Sequence, residues 1–251
     1  AYFEPKLYSS QFLSYRLSPQ LQLSLFEGSY WSVGDSIHSK PVNAAYYSPL
    51  PILSHFVVSN EEDINTVSGI QVEWRPHPKA ILYAQYAIGN YRSKRYGVQL
   101  GTRIYKILTQ DDQLQIEYNR TASTLYSSQN SRINYSNYNL PSAHPMGQGF
   151  DELVVRYNLQ YKRCYFDVKW NFYEVRNYQS GDLIAAEKPK ERIGGNLFLQ
   201  NVEIGYRFNK KINLQVFGAS LLRQSTMDQF PRTHILQIGL RTGLLNHYRD
   251  I

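Results

Sequence analysis

The residue types that perform most enzyme chemistry are few in this chain of 251 residues, and their spacing matches no common catalytic or metal site. None of its six histidines occurs in the His-Glu-x-x-His spacing of a zinc enzyme. The single cysteine, Cys164, can form neither an internal disulfide nor a zinc ribbon. The sequence contains no Walker loop, Gly-x-Ser-x-Gly elbow or dinucleotide-binding glycine motif. It therefore predicts no catalytic residues, no metal and no cofactor.

One pair has the residue types of a hydrolase base and its orienting carboxylate, namely His144 and Asp151. His144 lies within a segment rich in proline and glycine, where a histidine commonly holds the local backbone, and Asp151 follows that segment. The neighbouring Gly147-Gln148-Gly149 precedes a predicted strand and does not open a helix, so its context is wrong for phosphate binding. We interpret His144 as a structural loop residue and predict that the protein is not an enzyme.

The charge pattern argues against a nucleic-acid partner. The formal net charge is +7, but the Lys and Arg residues are spread singly along the chain. The densest clusters, at residues 92–95 and 188–192, are short and lie in predicted loops. A nucleic-acid-binding protein gathers its cations on one helix or groove. We therefore expect solvated loop charges and no bound nucleic acid.

The elements that carry these residues follow a two-residue period. From Tyr96 to Ile104 and from Leu236 to Leu244, apolar side chains or Thr alternate with Gly, Gln or Arg, which is typical of strands with one apolar and one polar face. Many of these segments have roughly nine to twelve residues, which suits a tilted membrane-spanning strand better than a strand of a soluble sandwich. No apolar run approaches the roughly 18–20 residues of a membrane helix. About eleven strands are predicted, at residues 6–17, 21–31, 66–75, 80–88, 95–106, 113–122, 151–161, 164–175, 197–208, 211–223 and 233–244.

The connections between the predicted strands alternate between short turns and long links. Outer-membrane β-barrels show this asymmetry, with short periplasmic turns and long outer loops. The 22 tyrosines fit the same class, because amphipathic rings collect at the two water–lipid interfaces. The short turns are predicted at 18–20, 76–79, 110–112, 162–163 and 209–211, and the long links at 32–65, 89–94, 123–150, 176–196 and 224–232. The fold class predicted is an all-β, antiparallel transmembrane β-barrel in the outer membrane, with membrane lipid as a partner.

Charged residues of both signs lie on the predicted polar faces, where a barrel would direct them into its lumen. A selective pore would use them to set ion preference, whereas a closed lumen would pair them with one another. The mixed signs favour pairing. The residues are Glu73, Arg75, Arg103, Glu117, Arg156, Asp167, Lys169, Glu203, Arg207 and Arg241.

Strand parity predicts that this barrel has further strands. A single-chain bacterial barrel has an even number of strands and both termini on the periplasmic side. With eleven strands and a periplasmic C-terminus, the first strand would begin on the outer side. We therefore expect residues 1–251 to be the C-terminal portion of one larger, even-stranded barrel domain; a miscounted strand or closure with another chain are the alternatives.

One segment resembles a known family. Residues 139–147 read Asn-Leu-Pro-Ser-Ala-His-Pro-Met-Gly and are followed by acidic residues and a strand. This resembles the Asn-x-Pro-x-Ala-His-Pro-Leu-Gly element of Wzi-like capsule-assembly outer-membrane proteins, which include gliding-motility accessory relatives. Similarity extends to the link at 46–50, the strands at 66–108 and the closing strand at 238–250. The departures are Ser48 for Asn, Met146 for Leu, and Ile251 for a terminal aromatic.

The resemblance implies a non-enzymatic barrel that helps surface polysaccharide associate with the cell, or that serves a gliding or other surface complex. A porin or substrate-selective transporter, or a scaffolding subunit of a secretion complex, are the alternative functions. In the loop element we expect Asn139, Pro141, His144, Pro145 and Gly147 to shape the barrel mouth, since prolines restrict the backbone and glycine permits a positive φ. Aromatic rings stack on sugars and arginines pair with acidic groups. The predicted glycan-binding residues are Tyr46, Tyr47, Arg132, Tyr135, Tyr138, Tyr178 and Arg192.

Overall fold

The computed structural model describes residues 6–33, 51, 64–90, 94–128, 130–137, 140–176, 194–209, 212–228 and 230–242. In this part of the chain the fold is all-β, with one 3-10 turn at Ser131–Ile133. No helix among the described residues is long and apolar enough to cross a membrane. The strands are β1 Lys6–Ser18, β2 Leu21–Ser32, β3 Ile64–His77, β4 Ala80–Gly89, β5 Tyr96–Tyr105, β6 Asp111–Thr121, β7 Ser136–Asn137, β8 Leu140–Pro141, β9 Phe150–Tyr161, β10 Cys164–Val175, β11 Gly195–Asn209, β12 Leu214–Ser225 and β13 Thr233–Arg241.

Eleven of these strands form one antiparallel sheet in which each strand pairs with the next along the chain. The short strands β7 and β8 form a separate ladder within the connection between β6 and β9. The predicted number and order of long strands are therefore confirmed. In the described residues β1 and β13 are the two ends of the strand order and the sheet is not closed.

The connections alternate between short and long, as predicted. Because each antiparallel strand reverses the chain direction, successive connections lie at opposite ends of the strands. We call these two ends of the sheet the short-turn end and the long-connection end. At the short-turn end, the Ser18 hydroxyl accepts the backbone N–H of Gln20 (3.2 Å) and of Leu21 (3.1 Å), so a serine–proline turn joins β1 to β2. The β9–β10 turn consists of Lys162 and Arg163, with Lys162 at a φ of 55°.

One turn lies earlier than the sequence pattern predicted. The turn was expected at residues 110–112, but β6 already begins at Asp111. The Asp112 carboxylate accepts the backbone N–H groups of Ile107 (2.6 Å), Leu108 (2.6 Å) and Thr109 (3.1 Å). These charge-assisted bonds hold the turn at the residues before β6.

The chain divides into two compact units, which we describe separately. The first unit comprises Ala1–Gly101, Tyr118–Glu152 and Glu174–Gly195, and the second comprises Thr102–Glu117, Leu153–Tyr173 and Asn196–Ile251.

In the first unit, part of the connection after β6 packs onto β2, β3 and β4. Leu125 and Ile133 from this connection are fully buried beside Tyr30, Val67 and Ala87. The buried amide of Asn65 donates to the carbonyl oxygens of Tyr126 (3.0 Å) and Ile133 (3.1 Å). The hydrophobic core described here is therefore formed by a loop and strands, because a single sheet cannot bury its own faces.

Large apolar side chains are exposed along one face of the sheet in each unit. The register of β2 with β3 places Leu25 beside Ile70 and Leu21 beside Trp74 in the first unit. In the second unit, Leu236, Ile238 and Leu240 alternate along β13 with Gln237 and Gly239 and are 73%, 90% and 76% exposed. We call this side of each unit its apolar face and the other its polar face.

Candidate functional site

The loop element that carries the resemblance includes β8 and leads to β9 in the first unit. Pro141 pairs with Ser136 in the short β7–β8 ladder, and the backbone N–H of Ser142 donates to Tyr135 O (2.9 Å). A tight turn follows, closed by the Gly147 N–H donating to His144 O (2.8 Å). Gly147 has a φ of 70°, a backbone conformation that favours glycine over residues with a side chain. Pro145 lies inside this turn.

His144 has a bonding partner for each ring nitrogen. Its Nδ1 accepts the backbone N–H of Met146 (3.2 Å), so the proton is on Nε2, which faces Glu152 Oε2 (3.2 Å). The imidazole also packs against the Phe150 ring, with 4.4 Å between centroids. Glu152 is only 3% exposed, and Asn119 Nδ2 donates to the same carboxylate oxygen (2.9 Å). These contacts hold the loop against the start of β9.

Asp151 belongs to a different cluster from His144. Its carboxylate forms ion pairs with Arg176 and, at 3.7 Å, with Arg120, and it accepts the Tyr118 hydroxyl (2.6 Å). Successive strand residues point to opposite faces, so Asp151 and Glu152 face opposite sides of β9. The His144–Asp151 pair that the sequence analysis considered and set aside is not formed, and the carboxylate that His144 contacts belongs to Glu152.

A group of tyrosines lies beside the loop element in the first unit, and we call Tyr8, Tyr30, Tyr126 and Tyr135 the tyrosine cluster. The Tyr135 ring lies 5.0 Å from that of Tyr30 and 5.6 Å from that of Tyr126. Burial raises the pKa of Tyr126 to about 12 and that of Tyr135 well above its usual value. Both phenols are therefore neutral at physiological pH.

Tyr135 joins the loop to two strands. Its hydroxyl donates to Gly28 O and accepts the Val67 N–H (3.0 Å), and Gly28 and Val67 are opposite each other in β2 and β3. A Cβ at residue 28 would lie 2.9 Å from the Tyr8 hydroxyl and 3.3 Å from the Tyr135 hydroxyl, so glycine leaves the room that these groups occupy. Because Tyr135 is only 6% exposed, its position suits loop packing, not stacking on a sugar.

Lys6 also holds this loop, a contact that sequence reasoning missed. Its Nζ donates to Asn134 O (2.7 Å) and to Ser136 O, and it lies 4.5 Å from the centroid of the Tyr30 ring. These partners are about 130 residues away in the sequence, and no local pattern connects them. Of the predicted glycan-binding residues, Arg132 is exposed, next to the Asn130 side chain that accepts its backbone N–H (3.1 Å). Tyr46, Tyr47, Tyr138, Asn139, Tyr178 and Arg192 lie outside the described residues.

The polar face of the second unit carries paired charges around a recess of about 380 Å³. Arg241 binds Glu203 with two hydrogen bonds (3.0 and 3.1 Å), and the Tyr165 hydroxyl donates to the same carboxylate (2.8 Å). Arg156 pairs with Asp167 at 3.2 Å. These contacts confirm the predicted pairing for Glu203 with Arg241 and for Arg156 with Asp167. Tyr165 was not among the predicted charged residues, although it shares the strand face of Asp167.

Among the described residues, no three His, Cys, Asp or Glu side chains are grouped so that they could hold a metal ion. Comparison with known proteins gives no match: no family model, curated protein or solved structure matches this chain. The family resemblance at residues 139–147 therefore stays a prediction.

Proposed function

We propose that the protein is a non-enzymatic outer-membrane β-barrel protein. In this proposal the eleven-stranded sheet forms the membrane-spanning wall, and the long connections associate with surface polysaccharide, as in the Wzi-like proteins that residues 139–147 resemble. The observation that carries the membrane part is the exposed apolar face. On β13, three consecutive outward residues, Leu236, Ile238 and Leu240, are each at least 73% exposed.

Exposure of such a face to water is unfavourable, because burial of each large apolar side chain would stabilise the protein by about 1.5–3 kcal/mol. Lipid chains would solvate the same side chains without that cost. Exposed aromatic residues close to the short turns support this view, since aromatic rings favour the membrane interface. They include Tyr15, Trp74, Tyr161 and Phe208.

The paired charges favour a filled or closed lumen over an open selective pore. In the second unit the Glu203 carboxylate is bound by both Arg241 and Tyr165, so its charge is already balanced within the protein. A pore that selects ions would direct such charges at the permeating ion. We therefore propose that the protein binds a ligand at the long-connection end and does not transport solutes through the lumen.

For the polysaccharide part, support comes from the loop element and from Arg132. The element lies at the long-connection end, where His144 and Lys6 hold neighbouring loop backbone in place. Arg132 is exposed in the same connection between β6 and β9, and a guanidinium pairs well with the carboxylate of an acidic sugar. An acidic polysaccharide is therefore the class of ligand we propose.

One experiment tests both parts. The purified protein is folded into phosphatidylcholine vesicles, floated on a density gradient, and titrated with alginate, a polyuronate, or with neutral dextran. We expect flotation, alginate binding that Arg132→Gln weakens, and no dextran binding; Arg75→Gln, at the short-turn end, is the matched control. Recovery of the folded protein free of vesicles would refute the membrane part. Flotation without alginate binding would refute the polysaccharide part alone.

A further inference from the structure

The apolar face of the second unit carries a groove of about 580 Å³, within the size range of small-molecule sites. Apolar side chains from neighbouring strands form its walls. They include Leu159, Phe166, Ile204, Tyr206, Val216 and Ile238.

Gly218 forms the floor of this groove. The strand registers place Ile204 of β11 and Ile238 of β13 directly beside it, on either side, and both isoleucines are exposed. A Cβ at residue 218 would contact only Gln237 O, at 3.9 Å. By contrast, a Cβ at Gly205 would lie 2.3 Å from the Tyr165 ring. The Tyr165 ring therefore explains why residue 205 is a glycine. The space above Gly218 is open to a ligand.

Two cations stand at one end of the groove. Tyr161 and Cys164 line it, and the two residues between them, Lys162 and Arg163, form the β9–β10 turn. The Lys162 Nζ lies 5.2 Å from the centroid of the Tyr161 ring. Both cations are exposed, and in the described part of the chain neither pairs with a carboxylate.

From this arrangement we infer a binding site for an anionic phospholipid. One acyl chain lies in the groove over Gly218, and the phosphate contacts Lys162 and Arg163. The inference rests on the proposed membrane location, in which the short turns face the periplasm and basic residues at the membrane surface attract anionic headgroups. An apolar protein partner would fill the groove equally well but would leave the two cations without an anion.

Cys164 provides the measurement, because it lines the groove and is the only cysteine of the chain. Its alkylation by a maleimide is followed in dodecylmaltoside micelles that contain increasing phosphatidylglycerol or phosphatidylcholine. If a bound lipid covers the thiol, alkylation slows about tenfold at ten times the dissociation constant. We expect this saturable protection from phosphatidylglycerol and much weaker protection from phosphatidylcholine.

Two variants test the contact with the lipid headgroup and the contact with the acyl chain separately. Replacing both turn cations, by Lys162→Gln with Arg163→Gln, should remove the difference between the two lipids. Gly218→Leu places a side chain on the floor of the groove and should weaken the protection by both lipids. The alkylation rate of each variant with lipid is compared with the rate of the same variant without lipid. The controls are Lys79→Gln in the β3–β4 turn and Ala84→Leu on the apolar face of β4, and both should keep the wild-type response.

Equal protection of the wild-type protein by the two lipids, or a preference for phosphatidylglycerol that survives the double glutamine variant, would overturn the site. Vesicle flotation is scored separately. A protein that floats but shows no preference for phosphatidylglycerol refutes this site and leaves the membrane location intact.

Discussion

At the scale of single residues, the loop element is held by side chains whose polar atoms bind the protein itself. His144 accepts a backbone N–H with one nitrogen and faces the buried Glu152 with the other. Tyr135 uses its hydroxyl for the backbone of two strands. Side chains engaged in this way position the loop, and the proposed contact with the ligand is assigned to the exposed Arg132.

His144→Ala tests that role. It removes the acceptor for the Met146 N–H and one partner of Glu152, a loss worth about 1–3 kcal/mol. The loop should therefore open more often, and protease cleavage within residues 140–150 should become roughly tenfold faster. The affinity for alginate should fall only to the extent that the fraction of protein with an open loop increases.

The matched control is His234→Ala, because His234 also forms one side-chain hydrogen bond, to Ser220 (3.1 Å), on an exposed strand. It should leave cleavage of the loop unchanged. A His144→Ala protein that keeps its loop protected from protease but loses alginate binding would show that the histidine contacts the ligand.

At the scale of strands, an aromatic ring repeatedly covers a glycine on the next strand. The Tyr83 ring lies over Gly101 in the first unit, and the Tyr165 ring lies over Gly205 in the second. Such pairs place a flat ring where no side chain competes for the space, and they help to set the strand register. Phe26 with Gly69 and Phe217 with Gly239 repeat the arrangement.

Gly205→Ala should disturb one of these pairs. The new Cβ would lie 2.3 Å from the Tyr165 ring, which must move and release its hydrogen bond to Glu203. We expect a loss of about 1–3 kcal/mol in the free energy of unfolding, measured by urea titration in detergent. Gly218→Ala, where the added Cβ meets open space, is the control and should be neutral or slightly stabilising. Equal effects at the two glycines would rule out the proposed role of the ring.

At the scale of the whole molecule, the central question is which solvent covers the apolar face. Ile238 and Gln237 are neighbours in the middle of β13, yet they belong to opposite faces. Ile238 is 90% exposed, so in water a charge there would be tolerated. In a bilayer, a lysine on the lipid-facing side of a barrel costs about 2–4 kcal/mol near the midplane.

We therefore expect Ile238→Lys to lower the free energy of unfolding in phosphatidylcholine vesicles by about 2–4 kcal/mol. Gln237→Lys on the polar face should change it by less than about 1 kcal/mol. Urea titration followed by tryptophan fluorescence measures both. If Ile238→Lys proves neutral, and the protein stays folded without detergent or lipid, lipid does not cover this face.

Several features of the fold were predictable from the sequence because they are local. Alternation along nine or more residues marks a strand with two unlike faces, and turn residues such as Ser18 and Pro19 separate one strand from the next. The eleven long strands, their order and the alternation of short and long connections follow from these signals. The β5–β6 turn lies outside its predicted position because the Asp112 carboxylate binds backbone groups that no pattern of hydrophobicity reveals.

The amino-acid sequence by itself determined where the strands lie and which side chains share a face, because the strand period is a property of neighbouring residues. The tertiary structure alone decided which side chains meet: Glu203 with Arg241, His144 with Glu152 in place of Asp151, and Tyr135 with Gly28. Such contacts depend on strand register and on the path of a long loop. Both arise from packing between residues distant in the chain, which a local pattern does not encode.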